Sequence, residues 1–98
     1  MSKYILVGKE PKKVDDILEW ARSFEESSRV VEQTMIGEVK VSTIFLGLDH
    51  QYGDGPPLLF ETMIFGGPED GYQERYSTWE EAEKGHKTTC ELVKKLKP

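Results

Sequence analysis

The segment Thr43–Gly67, TIFLGLDHQYGDGPPLLFETMIFGG, combines two apolar runs with a polar loop between them. The runs Thr43–Leu48 and Leu58–Phe65 are rich in Ile, Phe, Leu, Thr and Met and are bounded by Gly and Pro, a composition typical of β-strands. The side chains of this loop include Asp49, His50, Tyr52 and Asp54. The segment therefore predicts two strands joined by a loop that presents polar groups at the surface.

The sequence before this segment predicts a strand, a helix and a hairpin. Tyr4–Gly8 is a short apolar run, and its continuous hydrophobicity favours a central, well-covered strand. Pro11 suits the first turn of a helix, and over residues 12–27 apolar side chains recur at intervals of three and four. Arg29–Ile36 and Glu38–Leu48, separated by one glycine, are rich in Val, Thr and Ile and predict an antiparallel hairpin.

The sequence after the segment predicts a short strand and a long helix. Gln73–Tyr76 follows a connector rich in Gly and forms the strand. Ser77 and Glu80 match the S-x-x-E capping box, in which each side chain satisfies an orphan backbone N–H. The helix that starts there extends to about Leu96.

These elements in the order β-α-β-β-β-(β)-α predict an α+β fold. A meandering, mainly antiparallel sheet with two helices on one face would make a two-layer sandwich. At 98 residues, the whole chain (1–98) is expected to form a single domain.

Composition excludes several classes of function. The formal net charge is −5, which opposes a broad nucleic-acid-binding surface but allows one locally positive pocket. A single cysteine, Cys90, excludes an internal disulfide framework and a multi-cysteine zinc site. No apolar run approaches the ~20 residues that span a bilayer, and the start lacks a signal-peptide layout, so a cytoplasmic protein without membrane contact is expected. A chain of this size buries about 65% of its surface, a thin margin that a homo-oligomer would improve.

A catalytic interpretation has some support in the sequence. His50, Asp54, Glu61 and His86 could serve a metal-dependent hydrolase, but their spacing matches no strong motif. His86-Lys87-Thr88 is one half of the paired H-x-T signature of two-histidine phosphoesterases, and the other half is missing. We therefore predict no metal, no cofactor and no catalytic residue, although the question of enzyme activity stays open.

A binding interpretation uses the same polar residues. Arg75 precedes the last helix, whose N-terminus favours anions, so phosphate is expected there. Tyrosines nearby could stack on a base, and the remaining polar groups could hydrogen-bond sugar or base edges. The predicted ligand-binding residues are His50, Tyr52, Asp54, Glu61, Thr62, Arg75, Tyr76 and His86. The structural alternatives are an ordinary ion pair for Arg75 and a core-edge position for His86.

The segments STIFLGLDHQYGDGPPLLFETMIFGG and RYSTWEEAEKGH resemble a family of small, mostly uncharacterised proteins of tailed bacteriophages. The resemblance covers roughly residues 41–86 and implies a phage product that acts in the bacterial cytoplasm. Small phage proteins of this kind include oligomeric sponges that sequester nucleotide immune signals, such as cyclic dinucleotides or cyclic ADP-ribose derivatives.

By analogy with this class, and not from a shared motif, we expect a non-catalytic, anti-defence binding protein whose partner is a small nucleotide-like anion. The alternatives are a phosphoesterase or metal-dependent hydrolase acting on a nucleotide signal, and a protein-binding inhibitor of a host factor.

Overall fold

The computed structural model describes residues 2–26 and 29–96. Within these ranges, the strands are β1 (Lys3–Val7), β2 (Glu10–Val14), β3 (Val30–Ile36), β4 (Val39–Phe45), β5 (Phe60–Phe65) and β6 (Gln73–Tyr76), and the helices are α1 (Ile17–Glu26) and α2 (Trp79–Leu96). β1 and β2 form a two-stranded antiparallel sheet, and β3 to β6 form a four-stranded antiparallel sheet in sequential order. The predicted α+β class with mainly antiparallel strands is confirmed.

The four-stranded sheet has one face covered by α2. β3 and β4 are joined by a short turn at Gly37, whose positive φ of 63° favours glycine, whereas a longer loop joins β4 to β5. The helix buries one stripe of side chains: Ala82, His86, Thr89, Cys90 and Val93. Those side chains meet the inward-facing residues of β4 and β5, so this layer matches the prediction.

Two apolar clusters hold α2 against the sheet. One joins Val41 and Ile64 to Cys90 and Val93 near the C-terminal half of the helix. The other, nearer the start of the helix, consists of Phe45, Leu59, Phe60 and Ala82. Among the described residues, neither helix is long and apolar enough to cross a membrane.

The N-terminal part of the chain differs from the prediction. Residues 10–14 form β2, which turns back on β1 at Gly8, and Pro11 lies opposite Leu6 in this hairpin instead of starting a helix. Pro is tolerated here because a two-stranded sheet has only edge strands. The helix begins at Ile17, where the Asp16 carboxylate accepts a hydrogen bond from the Leu18 N–H at 2.9 Å. The predicted end at Ser27 lies outside the described residues.

The first strand is not central in the sheet, which corrects a second expectation. β1 belongs to the hairpin, which is tied to the chain after β4 by backbone hydrogen bonds, including Tyr4 N–H to Gly47 O at 2.8 Å. α1 packs mainly against this hairpin and reaches the second apolar cluster through Phe24. The apolar stripe of α1 is only partly buried, because Ile17 is 61% and Leu18 68% exposed.

Candidate functional site

The four-stranded sheet separates the predicted site residues onto its two faces. Thr62 of β5 contacts Thr43 of β4, which in turn contacts His86, so these three residues lie on the face covered by α2. Because successive side chains of a strand point to opposite faces, Glu61 and Arg75 lie on the other face. The structure therefore does not bring Arg75 and His86 together on one surface.

His86 lies in a buried polar network between α2 and the sheet. Its Nδ1 lies 2.7 Å from Thr43 Oγ1, and its Nε2 lies 2.9 Å from Thr34 Oγ1. The residue is 1% exposed, and a Glu32 carboxylate oxygen lies 3.8 Å from Nε2. Burial lowers the pKa of His86, and Glu32 opposes part of this change. His86 is thus a core histidine with both ring nitrogens satisfied, as the structural alternative proposed.

Tyr76 lies on the same face, close against α2 at Gly85. A Cβ atom at Gly85 would overlap the hydroxyl end of the Tyr76 ring, so the glycine allows this close packing. The hydroxyl is buried without a hydrogen bond of good geometry among the described residues. Burial raises the pKa of Tyr76, and the nearby Thr62 and Thr89 hydroxyls oppose this increase. Tyr76 therefore packs the hydroxyl end of its ring against α2, and the residue as a whole is only partly buried.

Glu61 and Arg75 form an ion pair on the opposite face. Arg75 Nε donates to Glu61 Oε2 at 2.9 Å, and the two residues are direct partners in the β5–β6 register. The Glu61 side chain is 11% exposed and the Arg75 side chain 34% exposed. The pair satisfies the carboxylate that the apolar strand partly buries, and leaves part of the guanidinium open to solvent.

The capping box of α2 lies one residue later than predicted. Thr78 Oγ1 accepts a hydrogen bond from the Glu81 N–H at 3.1 Å, and Glu81 Oε1 accepts from the Ser77 and Thr78 N–H groups at 3.2 and 3.1 Å. The box is therefore Thr78–Glu81, and Glu80 takes no part in it. Since the Glu81 carboxylate already lies at the positive end of the helix, it occupies the place where phosphate was expected.

The loop between β4 and β5 folds on itself. Asp49 Oδ1 accepts from the Gln51 N–H at 2.8 Å and from the Leu58 N–H at 3.0 Å. His50 is partly buried, whereas Tyr52 is 85% exposed and Asp54 is exposed. The base of the loop is joined to the segment before α2, because the Leu59 N–H donates to Tyr76 O at 2.9 Å.

The sheet face opposite α2, here called the outer face, carries residues that the sequence analysis missed. It comprises Gln33, Met35, Lys40, Ser42, Ile44, Glu61, Met63, Phe65, Gln73 and Arg75. Contacts confirm the shared face: Gln33 Nε2 donates to Ser42 Oγ at 3.0 Å, and Lys40 Nζ lies 5.7 Å from the centroid of the Phe65 ring. The alternation of Lys40 with the inward-facing Val39 and Val41 was the sequence signal for this surface.

Two concave regions lie on the helix side of the sheet. A groove of about 540 Å³ runs between β6 and α2, with Tyr72, Tyr76 and Lys84 among its walls. A cavity of about 370 Å³ lies at the C-terminal end of α2, with Ile36, Ile64, Val93 and Leu96 among its walls. Neither includes a residue of the loop that holds His50 and Asp54.

The constellation of the hydrolase alternative does not assemble in the described chain. Glu61 and His86 lie on opposite faces of the sheet, and no group of three or more His, Cys, Asp or Glu side chains converges within residues 2–26 and 29–96. Comparison with known proteins found no matching family model, and no curated protein or solved structure with significant similarity.

Proposed function

We propose that the protein is a non-catalytic binding protein that captures a small nucleotide-like anion on the outer face of its four-stranded sheet. The observation that carries the proposal is the combination of Lys40, Phe65 and Arg75 on one open surface of an acidic chain. The proposal retains Arg75 as the phosphate-binding residue and replaces Tyr76 and His86 with residues of the outer face.

The charges of the outer face support an anionic ligand. Its ionisable side chains are two cations, Lys40 and Arg75, and one carboxylate, Glu61. The chain as a whole carries a net charge of −5, so this face is locally positive on an acidic protein. A long polynucleotide would be repelled by the rest of the surface, whereas a small anion would meet only this face.

The aromatic and amide groups support a ligand that contains a base. Phe65 is 46% exposed, and its ring can stack on a base, an interaction worth about 1–3 kcal/mol. Gln33 and Gln73 lie in the row of side chains between Phe65 and Arg75, where their amides can donate to and accept from base edges. Open antiparallel sheets with such side chains are a recurrent platform for nucleotides.

The spacing of these groups suggests the size of the ligand. Phe65 lies four residues from Glu61, the register partner of Arg75, which corresponds to about 13 Å along β5 at ~3.3 Å per residue. A ligand that contacts both Phe65 and Arg75 therefore carries its base and phosphate several ångströms apart, as a dinucleotide does. Cyclic dinucleotides, which the analogy with phage sponges suggests, are among the ligands that meet this requirement.

The test is a calorimetric titration of the intact protein with cyclic dinucleotides and ADP-ribose derivatives. Lys40→Gln, Phe65→Ala and the paired variant Glu61→Gln/Arg75→Gln should each weaken binding roughly tenfold or more, since each removes a stacking or charge-assisted contact. Both residues of the pair are changed together, because a change of Arg75 alone would leave the Glu61 carboxylate partly buried without its partner.

Lys84→Gln is the matched control, since it removes one positive charge from the helix side of the sheet. It should change affinity by less than about twofold at moderate salt. The proposal is contradicted if all the outer-face variants bind with wild-type affinity, or if the protein binds none of these nucleotides. Chromatography of the ligand after protein denaturation separates capture from catalysis, because capture returns it intact and an enzyme returns a product.

A further inference from the structure

A cavity at the C-terminal end of the described part of α2 is lined mainly by apolar side chains. Ile36 and Val39 are only partly buried and Leu96 is 48% exposed, whereas Ile64 and Val93 are buried and form its floor. The cavity measures about 370 Å³, within the range of pockets that hold small molecules. It shares no residue with the outer face of the sheet.

One wall of this cavity is made of backbone. Gly66 and Gly67 have φ values of 92° and 71°, which side chains rarely adopt. A Cβ atom at Gly67 would also lie 2.9 Å from Val39 Cγ2, and one at Gly66 would lie 3.2 Å from Glu38 O. Both residues must therefore stay glycine for this loop to pack beside the turn between β3 and β4.

The charged residues that the structure describes at the cavity are both acidic. Among the described residues that line it, only Glu38 and Glu69 carry a formal charge, and both are exposed. An occupant that places an apolar body against Ile36, Val39 and Leu96 would hold its polar end near these carboxylates. A cationic end is favoured there, and an anionic end is opposed by the carboxylates and by the net charge of −5.

We propose that this cavity binds a small organic ammonium with an apolar chain. The apolar chain would occupy the space beside Leu96, and the ammonium group would lie at the mouth, between the two carboxylates. The cavity is distinct from the nucleotide site in position and in the charge that it selects, and the proposal does not depend on that site.

The probes are octylammonium, octanol and octanoate, which share one alkyl chain and differ in charge. Octylammonium should bind roughly tenfold or more tightly than octanoate, with octanol between them. Shortening the ammonium probe should weaken binding about fourfold per methylene, as burial of the chain requires. Methyl NMR signals of Val39, Ile64 and Val93 should shift during the titration, since these side chains form the walls.

Glu38→Gln/Glu69→Gln should abolish the preference for the ammonium over octanol. Glu10→Gln/Glu80→Gln removes the same charge from exposed positions outside the cavity and should leave the preference intact. The proposal is overturned if octanoate binds as tightly as octylammonium, or if octylammonium does not bind. It is also overturned if the NMR shifts are confined to other methyl groups. Shifts of these methyl signals on simple dilution would identify a second copy of the chain as the occupant, and would also overturn it.

Discussion

Acidification below pH 7 should destabilise the protein through His86. In the unfolded chain a histidine binds its proton near pH 6.5, whereas burial lowers the pKa of His86 in the folded state. Between these two values the unfolded state binds more protons, so the free energy of unfolding falls as the pH falls. The stabilisation is complete above about pH 6.5 and is lost progressively toward the folded-state pKa.

The size of the effect follows from the linkage relation and the contacts of the ring. A single histidine contributes at most about 1.36 kcal/mol per pH unit across this window. The ring is 1% exposed, and its nitrogens lie 2.7 and 2.9 Å from the Thr43 and Thr34 hydroxyls. The charge of a protonated ring would therefore have little contact with water. Glu32, with an oxygen 3.8 Å from Nε2, is the nearby charge that favours the protonated ring.

The assay is urea unfolding at several pH values between about 5 and 7.5, followed by tryptophan fluorescence. His86→Gln introduces an amide that can donate and accept hydrogen bonds but does not titrate. The stability of this variant should therefore fall less steeply than that of the wild type as the pH is lowered. His50→Gln is the matched control, because His50 lies in the loop outside the network. Glu32→Gln should lower the pKa of His86 further and extend the loss to lower pH.

Two results would refute this reasoning. One is a stability profile of His86→Gln that runs parallel to the wild-type profile from about pH 7 to pH 5, the window where histidine titrates. The other is an NMR titration in which the His86 ring protonates at or above about pH 6.5 in the folded protein, the value of an unperturbed histidine.

The remaining predictions concern α2 and its start. Gly85→Ala should destabilise the protein by about 1–3 kcal/mol in urea unfolding, because the new methyl group displaces the Tyr76 ring, although alanine otherwise favours a helix. Tyr76→Phe removes a buried hydroxyl without a good partner and should leave stability unchanged or raise it; a loss above ~1 kcal/mol contradicts this account. Thr78→Ala should lower the free energy of unfolding by about 0.5–2 kcal/mol, and Ser77→Ala should lower it by less than ~0.5 kcal/mol. The reverse order would support the capping box that the sequence predicted.

The four-stranded sheet and α2 could be predicted because their signals are local. Val39 and Val41 alternate with polar residues, one glycine separates the predicted strands of the hairpin, and the buried stripe of α2 includes Ala82, His86 and Val93. The β1–β2 hairpin was missed because Pro11 and the apolar residues after it also satisfy a helical pattern. The competing signal is Asp16, which caps a helix that begins at Ile17. Asp16 can take this role only if the helix begins after it, and the helical pattern was taken to begin at residue 12.

The candidate site could be predicted only in part. The predicted site combined Glu61 with Thr62 and Arg75 with Tyr76, but neighbours in a strand point to opposite faces. Which member of each pair faces α2 depends on the register of β5 and β6, which the local sequence does not contain. Phe65 was overlooked for the same reason, because an apolar strand end gives no sign that its last side chain is exposed.

The outer face differs from the helix-covered face in how many of its polar groups are already used. His86 has partners for both ring nitrogens, and Thr62 contacts Thr43, so these groups have little left to offer a ligand. Arg75 directs Nε to Glu61 and one terminal nitrogen to Gln73, which leaves further N–H donors of its guanidinium available. Since binding energy comes from groups whose interactions are incomplete in the free protein, a ligand gains more from Arg75 and its neighbours on the outer face than from the buried histidine.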